Sequence, residues 1–259
     1  MTLAGHDVAL VRAGNPGPFT LTGTNTWIVG RSPCWIVDPG PALDEHVAAV
    51  AAEVERRGGA GGIALTHGHA DHAEAVPLLR AALRGAPVAL AAAAADADER
   101  LAGGSRFGPL LAVATPGHTA DHLAFVAGAV AFTGDAVLGE GSVFVVGQLG
   151  EYLDALRALR DRGLDLLCPG HGPVVEDPAA KLDEYVAHRL DRELRLLEVL
   201  DDGARSVDDL LDRAWSDALP ALRPAAAATL GAHLEKLAAE GRLPEGVERP
   251  SLPEGLRAP

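Results

Sequence analysis

The segment Thr66-His67-Gly68-His69-Ala70-Asp71-His72 restricts the possible folds of this chain more than any other feature. Four potential metal ligands fall within six residues, directly after the apolar run Ile63-Ala64-Leu65. Neutral imidazoles and carboxylates are the usual ligands of zinc-like cations, and ligands this close need only a short turn to converge. The pattern predicts a strand that delivers the chain and a tight loop that turns the side chains inward. The same grammar returns downstream. Thr115-Pro116-Gly117-His118-Thr119 sets a histidine in a Pro-Gly turn, Phe132-Thr133-Gly134-Asp135 ends an apolar run with a carboxylate, and Cys168-Pro169-Gly170-His171-Gly172 ends another with a histidine. Ligands at strand ends sit on a rigid scaffold, which lets distant parts of a chain meet at one point.

His67-x-His69-x-Asp71-His72, followed in order by His118, Asp135 and His171, resembles the ligand pattern of the metallo-β-lactamase superfamily. Over about three-quarters of the chain, the resemblance implies a four-layer αβ/βα sandwich of the α/β class. It assigns His67, His69 and His118 to a first metal site and Asp71, His72 and His171 to a second, with Asp135 bridging both. Two zinc ions are the implied cofactor, although manganese or iron suits the same nitrogen and oxygen donors. Asp71 and Asp135 are then the catalytic carboxylates. Asp135 sets the spacing of the cations and Asp71 orients the attacking hydroxide. Because bound imidazoles must be neutral, metal affinity is expected to drop in acid.

The chain has ten histidines, and a lone histidine is more often a surface or core residue than a ligand. His6, His46 and His233 read as ordinary. His122 reads as a residue that supports the ligand loop or packs beneath it. Cys34 and Cys168 are the only cysteines; they permit one disulfide and demand none. The formal net charge of −14 opposes broad attraction to nucleic acid, since phosphate binding draws mainly on lysine and arginine. No apolar run approaches a membrane span. Met1 to Asp7 lacks the basic start and apolar core of a signal peptide, so the cytoplasm is the expected compartment.

Short strands are predicted from Val8 to about Asp38, and a helix from Leu43 to about Arg57. The ligand loop should run into a helix from about Asp71 to Arg84. Val88 to Ala92, Leu110 to Val113, His122 to Val126 and Ala129 to Asp135 read as strands, and Tyr152 to Arg162 as a helix. From about Pro178 the texture turns helical. Lys181 to Leu200 reads as a long helix on which Val186, Leu190, Leu194 and Leu197 make an apolar stripe. Ser206-Val207-Asp208-Asp209 reads as a capped helix start, and Arg223-Pro224 opens another helix. The expected division is a catalytic domain over residues 1–177 and a small helical, winged-helix-like domain over residues 178–259.

Within the superfamily, Asn15-Pro16-Gly17-Pro18, Thr22-Gly23-Thr24-Asn25-Thr26 and the stretch from Gly172-Pro173-Val174-Val175 through Lys181 to His188-Arg189, then Arg192-Glu193 and Leu196-Leu197, resemble the lactamase-β-like endoribonuclease branch. That branch implies metal-dependent cleavage of single-stranded RNA. A glyoxalase II-like thioesterase or other acyl hydrolase acting on a small ester or thioester has a similar ligand pattern and remains the alternative. A winged-helix binding protein with a vestigial metal site is a third reading, against which the complete ligand set argues. Arg189, Arg192 and Arg195 share a loose helical face, available either to hold phosphates or to pair with acidic neighbours in solvent. The neighbours Glu184, Asp191, Glu193 and Glu198 favour pairing. No motif specifies the oligomeric state; a homodimer is compatible with the chain.

Overall fold

In the computed structural model, which describes residues 5–83, 90–94 and 97–251, the β-branched and aromatic runs form two sheets. The first contains β1 (Val8–Arg12), β2 (Asn25–Val29), β3 (Cys34–Val37), β4 (Ala60–Ala64), β5 (Leu90–Ala92) and β6 (Glu99–Arg100), side by side in that order. Its pairings are antiparallel from β1 to β3 and parallel from β3 to β6. The second contains β7 (Arg106–Phe107), β8 (Leu110–Ala114), β9 (Leu123–Ala127), β10 (Val130–Gly134) and β11 (Leu166–Pro169), antiparallel except for the β10–β11 pair. The expected strand over Val88–Ala92 begins outside the described residues; its described part is β5.

The helices are α1 (Asp44–Arg56), α2 (Ala70–Ala73), α3 (Val76–Ala82), α4 (Leu149–Arg160), α5 (Pro178–Asp201), α6 (Val207–Ala214) and α7 (Arg223–Ala239). The single helix expected from Asp71 to Arg84 is corrected to α2 and α3, with Arg84 outside the described residues. The reason is Pro77 at the start of α3: proline has no N–H to continue the ladder from the preceding turn.

The chain forms two units. The first comprises Met1–Thr115, Asp121–Ser142 and Arg162–Ala179; the second comprises Pro116–Ala120, Val143–Asp161 and Ala180–Pro259. In the first unit, Trp27, Val29, Val37 and Ala64 of one sheet face Leu110, Phe125, Phe132 and Cys168 of the other. Trp27, Phe125 and Phe132 have at most 1% of their surface exposed, and burying each such side chain stabilises the fold by roughly 1.5–3 kcal/mol. The outer face of the first sheet packs Ile28, Ile36 and Ile63 against Val47, Val50 and Val54 of α1 and Val76 and Leu79 of α3. Helix, sheet and sheet are thus layered as the fold class requires. Cys34 and Cys168 are free thiols in these two separate clusters.

In the second unit, Leu196, Val199 and Leu200 of α5 pack with Leu210 and Leu211 of α6 and Leu230, Leu234 and Leu237 of α7. Ser206 caps α6, its hydroxyl accepting from the Asp209 N–H. The apolar stripe expected on α5 is corrected. Leu190 and Leu194 are 39% and 61% exposed, whereas Leu182, Tyr185, Arg189, Arg192 and Leu196 form the buried face. The two arginines enter the interior because their head groups find acceptors there. Arg192 donates to the Ala214 carbonyl and bidentately to Asp217, and its guanidinium lies over the Trp215 ring.

Candidate metal centre

Four strand ends of the first unit converge on one point. β4 runs into Thr66 and then His67, His69, Asp71 and His72. β10 runs into Asp135 and β11 into His171, while β3 ends in Asp38. Between β10 and Asp135 the chain turns at Gly134, whose φ of +46° and clearance from Thr66 both exclude a side chain: a Cβ there would lie 2.4 Å from Thr66 Oγ1. The loop after β11 is held by β2. Asn25 Nδ2 donates to the carbonyls of Pro169 (3.0 Å) and Gly172 (2.9 Å), and Trp27 Nε1 donates to Pro169 O (3.1 Å).

The result is a tight knot of donor atoms. His72 Nε2 and His171 Nε2 are 3.3 Å apart. Asp71 Oδ2 lies 3.4 Å from the first and 3.2 Å from the second, and Asp135 Oδ1 lies 3.5 and 3.4 Å from them. A tetrahedral cation with bonds of about 2.0–2.1 Å has ligand-to-ligand edges of about 3.3–3.4 Å, so Asp71 Oδ2, His72 Nε2 and His171 Nε2 are spaced as three ligands of one. Gly170 keeps the space open, since a Cβ there would lie 2.5 Å from Asp135 Oδ1 and 2.7 Å from the His72 ring. His67, His72 and Asp135 form a second potential ligand group that overlaps this one, and His67 Nε2 also faces His69 Nδ1 at 2.9 Å. His118 belongs to the segment Pro116–Ala120 of the other unit, where its Nδ1 lies 3.4 Å from the Phe144 carbonyl.

A β-lactamase-like protein 2 homolog from Caenorhabditis elegans is 32% identical over 254 residues, covering 90% of this chain and 85% of that protein. The chain belongs to the metallo-β-lactamase superfamily. The superfamily's own pattern matches residues 85–171, and the β-lactamase-associated winged helix domain matches residues 206–246, which span α6 and α7. An atrochrysone carboxyl ACP thioesterase from Aspergillus chevalieri is 37% identical over 204 residues, which is 74% of this chain but only 65% of the thioesterase. A metallo-β-lactamase family protein from Thermus thermophilus shares the fold, with a TM-score of 0.72 at 22% identity over 91% of this chain and 94% of that one. The chain is therefore a metallo-β-lactamase-fold hydrolase.

Within this superfamily member, the residues behind the candidate ligands decide which ring nitrogen faces inward. Asp38, 1% exposed, accepts from the Thr66 N–H and from the Thr66 hydroxyl, both at 2.8 Å, and from His72 Nδ1 at 3.0 Å. A carboxylate only accepts, so Thr66 Oγ1 must spend its proton on Asp38 and accept from His67 Nδ1, 3.0 Å away. Asp38 thereby fixes Nδ1 as the donor on both His67 and His72 and leaves Nε2 as the nitrogen that faces outward, with a lone pair once the ring is neutral. The ligand pattern in the sequence misses Asp38, although it stands at a strand end before Pro39-Gly40 in the same grammar. It misses Thr24 as well. The Thr24 hydroxyl donates to Asp71 Oδ2 (3.1 Å) and is itself held by Asn15 Nδ2 (2.9 Å).

His122 supports the loop as expected. It is 1% exposed, its Nδ1 pairs with Thr115 Oγ1 at 2.7 Å, and its Nε2 accepts from the Asp135 N–H at 3.2 Å. His46 pairs with Thr26 and the Pro39 carbonyl, a structural role.

Burial works against a charge on His72, but Asp135, Asp38 and Asp71 outweigh it and push the imidazole up to about 9. Burial likewise opposes charge on His171, and Asp135 and Asp71 push it up to about 10. Burial would raise the Asp71 carboxyl; the His171 hydrogen bond and the His72 charge instead bring it below its ordinary value. Without metal, protons on two imidazoles balance the carboxylates. Loading at pH 7 should therefore release about two protons from these histidines. Titration calorimetry in buffers of different ionisation enthalpy measures this directly, and loading without proton release would contradict it. The signs of the two stability profiles also differ. Raised histidine values stabilise the metal-free fold fully below about pH 6.5, the unfolded value, and that contribution is lost as pH rises through about 9 to 10. The loaded protein should instead weaken in acid.

Proposed function

We propose that this hydrolase cleaves a thioester or a similarly activated carboxylic ester, releasing the carboxylic acid and a thiol or alcohol. His67, His69 and His118 are read as holding one divalent cation, Asp71, His72 and His171 as holding another, and Asp135 as shared between them. When bound, such a pair supplies Lewis acidity and an activated water near neutral pH, with zinc, manganese or iron all compatible with the donors. Asp71, whose Oδ2 is steadied by the Thr24 hydroxyl, would also orient the attacking water toward the acyl carbon. Asp38 keeps the His67 and His72 rings aligned by accepting their proton chain. Residues 1–177 are taken as the part that carries the chemistry and residues 178–259 as the winged-helix part.

The observation that carries the acyl reading is the fate of the arginine face on α5. Arg189 and Arg192 are 3% and 6% exposed with their head groups turned to internal acceptors, and Arg195 pairs with Asp191 at 2.9 Å and Asp217 at 3.5 Å. That face offers no row of cations to an RNA backbone, and the net charge is −14. Similarity to an acyl carrier protein thioesterase supports the same reading. Two buried free thiols suit a reducing compartment, in keeping with the cytoplasm, and no helix among the described residues is long and apolar enough to cross a membrane.

The test pairs two substrates. Zinc-loaded protein is expected to hydrolyse an acyl-pantetheine thioester, with free thiol released in step with acid, and to leave a labelled single-stranded oligoribonucleotide intact. Cleavage of the oligoribonucleotide, absent from an identically prepared Asp135→Ala sample, together with inert thioesters would reverse the assignment.

A further inference from the structure

His118 is the one proposed ligand that lies in the second unit, and that unit holds it with long-range contacts. Its turn begins at Gly117, whose carbonyl accepts from the Val146 N–H at 2.7 Å. His118 Nδ1 points to the Phe144 carbonyl. With the proton on Nδ1, Nε2 is left with its lone pair, which is how a backbone carbonyl commonly orients a metal-binding imidazole. The short segment from Val143 to Val146 therefore sets both the turn and the ring.

That segment is irregular and needs its own support. Two side chains from the C-terminal helices provide it. Arg189 of α5 donates to the Val143 carbonyl, one residue before Phe144. Thr229 of α7 accepts from the Val145 N–H at 3.3 Å, one residue after it. The same guanidinium also bonds to the hydroxyl of Tyr152 on α4. Tyr152 is fully buried, and its ring is packed so closely beneath Gly117 that a Cβ on that glycine would lie 3.0 Å from it. Arg189 thus reaches the His118 turn from two sides, through Val143 and through Tyr152. A cation buried to 3% exposure demands such acceptors, and these all serve one turn.

We propose that Arg189 is the positioning residue for His118, fixing within its own unit the turn and ring of that candidate ligand. The proposal rests on the reading of His118 as a ligand. It also gives the His188-Arg189 stretch a physical role that does not involve substrate.

The experiment counts metal in the full-length chain. Wild type, His118→Ala, Arg189→Met, Thr229→Val and Arg195→Ala are loaded with zinc and desalted. Bound zinc is measured by mass spectrometry, and affinity by competition with a chromophoric chelator. Circular dichroism and thermal unfolding check the fold of each. His118→Ala is expected to lose one zinc of two. Arg189→Met should weaken the same ion by roughly 10–100-fold, the usual effect of removing a group that orients a ligand, while the other ion stays bound. Thr229→Val should weaken it in the same direction, and Arg195→Ala should match wild type.

If Arg189→Met folds and binds both ions like wild type while His118→Ala loses one, the inference is overturned and the ligand assignment survives. If His118→Ala keeps both ions, the ligand assignment itself fails. Should Arg189→Met not fold, Thr229→Val decides: a weakened ion supports the inference, and wild-type binding overturns it. Equal weakening in Arg195→Ala also counts against it, because that exposed arginine on the same helix has no path to the turn.

Discussion

Asp135→Ala should lower turnover on the order of 10³-fold while the chain remains folded, a loss equivalent to about 4 kcal/mol of transition-state stabilisation. The side chain is grouped with His67 and His72, and its Oδ1 lies within 3.5 Å of both His72 Nε2 and His171 Nε2, which belong to the other candidate group. No other described carboxylate is grouped with both His67 and His72, so a neighbour has no means of replacing it. The backbone at this position does not depend on the carboxylate. It is held by His122, by Gly134 and by the Gly170 N–H, which donates to Gly134 O at 2.8 Å. Thermal unfolding with zinc and with chelator separates the effects. Wild type should gain stability from zinc by mass action, and the variant should lose most of that gain. Near-normal turnover in the variant would remove Asp135 from the chemistry.

Asp38→Asn should act on stability and metal together. Asp38 accepts three hydrogen bonds in the interior, and an amide has one accepting oxygen where the carboxylate has two. Its NH₂ would face either the Thr66 N–H, in the place of Oδ1, or the Thr66 hydroxyl and His72 Nδ1 together, in the place of Oδ2, all of them already donating. Breaking a buried network of this kind costs about 3 kcal/mol. Metal affinity should fall by roughly 10–100-fold, because the rings of His67 and His72 both lose the partner that sets their tautomer. Urea unfolding and chelator competition measure the two losses. A destabilised variant with unchanged affinity would confine Asp38 to the fold. Together the two variants make a contrast: Asp135 is expected to matter for turnover and little for folding, Asp38 for both.

The candidate ligands are legible in the sequence because each follows a local rule: an apolar strand, then a turn rich in glycine, then a histidine or carboxylate. Residues that act from another strand have no such spacing. Thr24 reaches Asp71 across 47 positions of sequence, and Asp38 reaches His72 across 34. Only the fold brings them together. The turn at Asp38-Pro39-Gly40 does carry the strand-end signal, and a search for carboxylates after strands would find it. The α5 stripe misleads for a different reason. Hydrophobic periodicity assigns arginine to solvent, yet Arg189 and Arg192 point inward because carbonyls and a carboxylate wait for them there. The break between α2 and α3, by contrast, is written in the chain as Pro77.

The strand ends that converge on the candidate metal centre come from both sheets: β3 and β4 from one, β10 and β11 from the other. Apart from the bonds of Asn25 and Trp27 to Pro169 and Gly172, the contact described between these layers is apolar, which has no direction and yields in small steps. Directed bonds from His67 and His72 on one side and from Asp135 and His171 on the other would act as a rivet through the seam. Loss of that rivet would let the layers breathe, and amide protons near Thr66 and Gly134 would exchange with solvent before those in the middle of either sheet. In such a chain, ions bound at this centre would also set how fast its two layers part.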